Sequence, residues 1–334
     1  MRMEDIARKA GVSQATVSRV LSGGSGVSPA KTEAVLKWAK ELKFSRKKRA
    51  GRVCGIPNIG IYFTGRYFER STSLLFSKIE VVADEIFQRY NVVFLPVALP
   101  PEQLEHEILR RRIVALLLVG HDSSAKLEAI LRTIPHAWLN SHENRAFSNV
   151  LHGNREAGRL AASYLTDRGC RNLGALRVPS HNPGYVARLE GFMEESSRRE
   201  MKALVFPCGE PQRFFEDISI PELEASIEKT FEFMSEVILR CDGLFCPDDR
   251  VTAVLFRILL RRGLVLTHKL RVISCNNDLN CLAGLYPRPA TIDFAPELTA
   301  RLAIQQLFTQ LSGREDADPD AVFIRPELIP GDEF

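Results

Sequence analysis

Four side chains near the start of the chain have the types and spacing to read base-pair edges. Gln14, Ala15, Ser18 and Arg19 fall on one side of a short helical pattern whose other side is Val17, Val20 and Leu21. In a major groove an amide pairs with adenine, a methyl packs on the thymine methyl, and a guanidinium forks onto guanine. Ser13 opens this pattern as an N-cap, its hydroxyl reaching the amide of Thr16, and both residues stand on the same expected DNA face. Farther on, Arg46, Lys47, Lys48, Arg49 and Arg52 place five cations within seven residues, directly before Val53. That run suits phosphate rather than base edges.

The elements that must carry these side chains are legible too. Ile6, Ala7 and Ala10 give an apolar face to a first helix, and Gly11 after it supplies the positive φ of a sharp helix exit. Together the two helices read as a helix-turn-helix. The competing reading is a small helical hairpin that only packs. Ser28-Pro29 opens a third helix, with Ser as cap and Pro at its first position. Val35, Leu36, Ala39 and Leu42 form its stripe, and Phe44 packs at its end, so residues 1–45 should fold as one headpiece. The charge is divided accordingly. Residues 1–52 hold thirteen Lys or Arg and four Asp or Glu, a net of +9, leaving −5 for the rest of a chain whose total is +4. A basic head on a mildly acidic body is the footprint of a module that meets nucleic acid.

Composition narrows the class. A chain of 334 residues, 45% of them hydrophobic, fits two or three globular domains. No run approaches the roughly 18 apolar residues of a membrane helix, and the polar Arg2–Asp5 start argues against a signal peptide. Seven cysteines, scattered and with no CxxC, read as reduced cytosolic thiols and not as a disulfide frame or zinc site. The seven histidines form no HExxH, and His121, Asp122 and His152 stand as structural or solvent-facing residues. There is no nucleophile elbow, Walker loop or GxGxxG, so nothing supports an enzyme, and no cofactor or metal is expected.

From Ile59 apolar runs alternate with helical periodicity, the texture of βα units and parallel sheets. Expected strands are Ile59–Phe63, Val92–Val97, Ala115–Val119 and Ala137–Leu139, then Leu173–Arg177, Ala203–Phe206, Gly243–Cys246 and Arg271–Cys275. Expected helices include Ala157–Asp167, Val251–Arg261 and Pro221–Leu239. No internal repeat is visible. The fold class is α/β: a three-helix headpiece and two doubly wound lobes with a cleft at the carboxyl ends of their strands. Asp248 and Asp249 stand just past a strand on that cleft, Asp248 toward a ligand and Asp249 as cap of the next helix. Trp138 and Asn140 close another strand; Trp138 reads equally as a stacking surface for a sugar or base and as a core residue. Ser71 and Ser73 follow the first strand and have hydroxyls for a ligand.

The words of the headpiece resemble a known family. Asp5-Ile6-Ala7, Ala10-Gly11-Val12-Ser13, Ala15-Thr16-Val17-Ser18-Arg19-Val20-Leu21 and Val27-Ser28 are similar to the DNA-binding headpiece of the lactose/galactose repressor (LacI/GalR) family. The likeness continues through Asn154-Arg-Glu-Ala-Gly, Arg188-Leu-Glu-Gly-Phe192, Phe245-Cys-Pro-Asp-Asp249, Val272-Ile-Ser-Cys-Asn-Asn277, Ala290-Thr-Ile292 and Pro326-Glu-Leu-Ile329. It implies a periplasmic-binding-protein-like body spanning 59–334, with crossings between lobes near 152, 292 and 315. The first lobe would be about 59–151 and 293–314, the second about 152–292 and 315–330. It implies an effector contact for Arg188, for Asp248 in place of an Asn, and for Asn276 in place of an Asp. Asn140 and Gly153 also stand where acids are usual, so no particular sugar is carried over.

Residues 46–58 are expected to be a basic linker; in the family the segment equivalent to Ser45–Val53 is a hinge helix whose leucine wedges into the minor groove. Here Arg46-Lys47 replaces the usual Pro-Asn, and Ala50-Gly51-Arg52-Val53 the usual Ala-Arg-x-Leu. The resemblance implies a cytoplasmic transcriptional regulator, expected to be a repressor, with no membrane partner. It would bind pseudo-palindromic double-stranded operator DNA as a homodimer and be switched by a small-molecule effector. The runner-up is the same regulator controlled by a protein partner, its cleft vestigial.

Overall fold

The computed structural model describes residues 3–21, 27–41, 56–64, 78, 80–82, 84, 86, 89–96, 99–120, 124–139, 150–178, 183–208, 218–264, 270–313 and 322–332. Residues 46–55 of the basic linker, Leu42 and Phe44 lie outside these residues.

Three helices make the headpiece: α1 (Met3–Ala10), α2 (Gln14–Leu21) and α3 (Pro29–Glu41). Gly11 takes φ +65°, and the Val12 amide closes onto the Ala7 carbonyl at 3.1 Å, a six-residue C-terminal lock for α1. Ser13 then caps α2, its Oγ accepting the Thr16 amide at 3.1 Å. Ile6, Ala7, Val17, Val20 and Val35 close one core, with Leu36, Trp38 and Ala39 packed against it.

The body is built on two four-stranded parallel sheets. The first orders its strands β2-β1-β3-β4, with β1 Asn58–Thr64, β2 Asn91–Phe94, β3 Ile113–Gly120 and β4 His136–Trp138. Strand β1 is buried on both faces, as a parallel strand sandwiched by helices must be. Ile59, Ile61 and Phe63 face a cluster completed by Val82, Ile86 and, from helix α11 (Pro296–Leu311), Ala303, Ile304 and Leu307. Tyr62 points the other way, into a cluster with Leu104 of α4 (Pro101–Arg110) and Leu127 of α5 (Ala125–Leu131).

The second sheet orders β7-β6-β8-β9, with β6 Asn172–Arg177, β7 Lys202–Pro207, β8 Gly243–Phe245 and β9 Arg271–Ile273. Around it stand α6 (Asn154–Asp167), α7 (Pro183–Arg198), α8 (Ile220–Ile238) and α9 (Asp249–Arg261), and the short α10 (Leu279–Leu282) follows β9. In each sheet the first strand lies between the second and third, so both lobes share one topology although the sequence shows no repeat. Strand β2 ends at Phe94, short of the expected Val97, because Pro96 follows and has no amide to give.

Short strands join the lobes. Strand β5 (Val150–His152) pairs parallel with β11 (Val322–Ile324), and β10 (Thr291–Asp293) antiparallel with β12 (Glu327–Ile329). Helix α11 leaves β10 and runs along the first sheet until Gln310 brackets His136, accepting its amide at 3.0 Å and donating to its carbonyl at 2.8 Å.

Candidate functional site

In the headpiece, Gln14, Ala15 and Arg19 are exposed and Ser18 half-buried, while Val17 and Val20 are buried. The face expected to read DNA therefore projects from α2 opposite the headpiece core. The hydroxyls of Ser13 and Thr16 lie 2.9 Å apart and are engaged with one another in the cap. Arg46, Lys47, Lys48, Arg49, Arg52 and Val53, expected to meet DNA, lie outside the described residues.

In the body, the strand order reverses direction between β6 and β8, the crevice where open α/β sheets receive ligands. Two expected site residues sit on either side of it: Arg188 on α7, which follows β6, and Asp248 directly after β8. Arg188 is only 8% exposed. Its Nε donates to Asn154 Oδ1 at 3.0 Å and one terminal nitrogen to the Pro247 carbonyl at 2.7 Å. Its guanidinium carbon lies 4.3 Å from the Phe294 ring centroid and 5.1 Å from that of Tyr185. The backbone that positions it is glycine-dependent. A Cβ on Gly158 of α6 would run into the Arg188 carbonyl, and one on Gly191 into the Arg155 carbonyl. The two helices approach so closely that neither position holds a side chain.

Asp248 is where the expectation needs correcting. Asp248, not Asp249, is the N-cap of α9: its extended backbone (φ −158°, ψ 141°) aims Oδ1 at the Arg250 amide, 2.8 Å away. Its Oδ2 accepts from the Tyr185 hydroxyl and from Asn276 Nδ2, both at 2.8 Å. Thus Asp248 and Asn276 are brought together, and Tyr185 joins Asp248 to the helix of Arg188. Asp249 is the first residue inside the helix and 1% exposed. Its carboxylate accepts the Asp278 amide at 2.6 Å and the Thr291 hydroxyl at 3.0 Å. Burial pushes its pKa up to about 7 against these hydrogen bonds.

Asn276 and Asn277 hold left-handed backbone, φ 106° and 53°. The Asn276 amide closes on the Ile292 carbonyl at 2.7 Å, and Asn277 Nδ2 on Asp293 Oδ2 at 3.1 Å, tying the β9 turn to the interlobe strand. A cavity of about 670 Å³ opens beside this turn, lined by Asn276, Asn277, Asn280, Asp293, Glu297 and Arg301 among others. It spans from the turn after β9 to the start of α11 and touches the Asp248 cluster through Asn276.

Trp138 is 4% exposed and lies in the apolar cluster with Tyr62, Leu118 and Leu127. Strand alternation turns it away from Ala137 and Leu139 and into that core, so its ring is spent on packing. Ser71, Ser73 and Asn140 lie outside the described residues, as do His121 and Asp122. His152 is structural: its Nε2 meets Thr299 Oγ1 at 2.8 Å, and its ring stacks on Phe294 at 5.4 Å between centroids. Sequence reasoning missed Tyr185, Asn154 and Phe294 as site residues, although Tyr185 stands one helical turn before Arg188.

Among the described residues no three His, Cys, Asp or Glu side chains are grouped to hold a metal, and no helix is long and apolar enough to cross a membrane. Six described cysteines are free. Burial drives the thiols of Cys208 and Cys275 up to about 12, far from the thiolate that reactive chemistry needs.

Comparisons with known proteins agree with this arrangement. The profile of the "Bacterial regulatory proteins, lacI family" matches residues 2–47, and that of the "Periplasmic binding protein-like domain" residues 162–332. The HTH-type transcriptional repressor PurR of Escherichia coli O139:H28 is 24% identical, over 98% of this chain and 95% of that one. A transcriptional regulator CelR–cellobiose complex shares the fold at TM-score 0.67 and 19% identity, with 99% of both chains covered. The lac repressor dimer bound to operator and the anti-inducer ONPF shares it at TM-score 0.64 and 18% identity, covering 99% of this chain and 98% of that one.

Proposed function

Because the chain belongs to the LacI family of bacterial regulatory proteins, we propose that it is a repressor whose two copies bind a pseudo-palindromic operator and release or grip it according to a small molecule in the interlobe cleft. The chain is a DNA-binding transcription regulator and not an enzyme. A two-fold dimer would set two α2 helices one helical turn of DNA apart, which is the geometry that reads a palindrome. Residues 1–45 form the headpiece in this reading and 46–58 the linker. In this reading the chain passes between lobes near 152 and 292, and the third expected crossing, near 315, lies outside the described residues.

The observation that carries the effector reading is the convergence of Arg188, Asp248 and Asn276, with Tyr185 and Asn154, at the crevice between β6 and β8. Arg188, Asp248 and Asn154 are buried and Tyr185 and Asn276 half-buried, and hydrogen bonds join Tyr185, Asp248 and Asn276 on one side and Arg188 and Asn154 on the other, beside a cavity. A vestigial cleft controlled only from outside would be expected to fill with apolar side chains. Closing the lobes on a ligand would alter the pairing of β5 with β11 and of β10 with β12, and so the spacing of the headpieces.

Operator selection from random duplexes with the full chain tests the first half of the reading, and should return a two-fold symmetric site. Titration of that complex with cellobiose, D-ribose and adenosine, with anisotropy as readout, begins the test of the second. Selection of an asymmetric single site would refute the dimer reading.

A further inference from the structure

Lys78 is a residue the repressor reading does not use. It is helical, and it heads the stripe Lys78, Val82, Ile86, whose other two members are wholly buried in the first lobe's core. The far end of that stripe lies at the amino ends of the strands: the Tyr90 amide closes on Ile86, and Asn91 opens β2. Lys78 therefore stands at the opposite end. Its Nζ donates to the Leu139 carbonyl at 2.7 Å, and Leu139 directly follows β4. The ammonium is thus held at the carboxyl edge of the first sheet, the edge on which open α/β sheets meet ligands.

Among the described residues it is also incompletely satisfied. Lys78 is 8% exposed, and an ammonium has three N–H groups to place. Among the described residues the Leu139 carbonyl is its single acceptor, and no carboxylate pairs with it. Burial draws its pKa down to about 8, and no charge partner among the described residues opposes the shift. On the second lobe, Arg188 spends Nε on Asn154 and one terminal nitrogen on Pro247, leaving the other terminal nitrogen without an acceptor among the described residues. Asp248, the acid of this cluster, is occupied by Tyr185, Asn276 and the Arg250 amide. Asn276 is an amide where a carboxylate would have repelled negative charge.

We propose that the effector is an anion, a small polar molecule whose carboxylate or phosphate is taken up by Lys78 on the first lobe while Arg188 holds its oxygens on the second. This rests on the cleft reading given above. A buried cation whose one acceptor among the described residues is neutral is costly until a negative group arrives, and charge-assisted hydrogen bonds to that group are the strong ones.

The test uses the full chain and Lys78→Met, which replaces the cation by an apolar side chain of similar length. Near neutral pH, inorganic phosphate and acetate, each at millimolar concentration, are compared with chloride at equal ionic strength by thermal melting. The basic headpiece responds equally in both proteins, so their difference isolates Lys78. Phosphate or acetate should raise the melting temperature of wild type and not of Lys78→Met, and in chloride alone the variant should melt higher. Which of the two acts separates phosphate from carboxylate. Glucose 6-phosphate or gluconate should then bind about tenfold or more tightly than glucose to wild type, and lose that advantage in the variant. Equal anion responses in wild type and Lys78→Met overturn the proposal. If glucose or ribose releases operator equally from both proteins, the effector is neutral: the anion assignment falls and the cleft reading stands. If Lys78→Met does not fold, Lys78→Gln, which keeps a donor for Leu139, gives the same comparison.

Discussion

Asn276 donates its side-chain amide to Asp248 Oδ2 at 2.8 Å, and the Tyr185 hydroxyl reaches the same oxygen at the same distance. One carboxylate therefore ties the turn after β9 to α7, while its other oxygen caps α9. Asp248→Ala removes the cap, worth about 0.5–2 kcal/mol, and orphans two donors. The expected loss is about 1–3 kcal/mol in urea denaturation, with operator affinity unchanged because the headpiece folds on a separate core. A variant as stable as wild type would mean that water replaces the carboxylate without cost.

Arg188→Ala should leave operator binding intact and abolish its response to whichever small molecule shifts the wild-type melting temperature. The guanidinium bridges Asn154 of α6 to the β8–α9 turn and lies against Phe294 of the interlobe segment. Truncating it removes both the proposed ligand-binding group and its contacts with Asn154, the β8–α9 turn and Phe294. An unchanged response at the same ligand concentration would exclude the role.

Asp249 gives the body an unusual pH dependence. Its folded pKa is raised to about 7 from an ordinary 3.8. Between those values the unfolded chain has released the proton and the folded chain keeps it, so stability falls as pH rises through this window. Glu107 and Glu195 act oppositely. Arg110 and Arg198, respectively, lead the lowering of each to about 2, so their contribution is lost as pH falls from about 4.5 toward 2. Both arginines are exposed to solvent, which screens these pairs and keeps their effect small. Asp249→Asn should flatten the decline between pH 4 and 7, measured as the difference in denaturation free energy between wild type and variant. A difference independent of pH would show that Asp249 is ionised throughout.

Much of this is legible in the sequence because hydrophobic period is local. The α1 and α2 stripes, the Ser13 cap and the βα alternation each follow from residues a few positions apart. The shared strand order of the two lobes is not legible. The same topology is filled by Ile-Gly-Ile-Tyr-Phe in β1 and Leu-Gly-Ala-Leu in β6, and strand order depends on distant pairing. Two adjacent aspartates give no way to choose the cap, since that depends on which of them keeps an extended backbone. Trp138 reads two ways because the face of β4 it takes is set by helices far away in the chain. Lys78 carries a signal, a lysine in register with Val82 and Ile86. A polar residue at a core position is conspicuous only when the stripe is read through to its end.

Arg19 should read one base position. It is exposed on α2 on the side away from Val17 and Val20, where a guanidinium reaches a guanine edge. Arg19→Ala should cost about 1–3 kcal/mol on the selected operator and relax specificity at a single position. Equal weakening on all sequences, measured by competition, would make Arg19 a phosphate contact.

The basic linker should bind without a strong central kink. Arg46, Lys47, Lys48, Arg49 and Arg52 repel one another, so helix is opposed until phosphates neutralise them. Gly51 still costs roughly 1 kcal/mol of helix relative to Ala once DNA is bound, and Val53 reaches less far between base pairs than the family's leucine. Wedging exchanges a few kcal/mol of unstacking for wrapped surface, and a shorter side chain on a weaker helix makes that exchange less favourable. Changing Arg46–Arg49 to Ala should flatten the salt dependence of operator affinity, by about 0.9 in slope for every phosphate that is no longer neutralised. Val53→Ala should shift affinity by under about 1 kcal/mol, since little wedging remains to be removed. A sharp bend at the operator centre, measured by circular permutation and abolished by Val53→Ala, would show that valine wedges here after all.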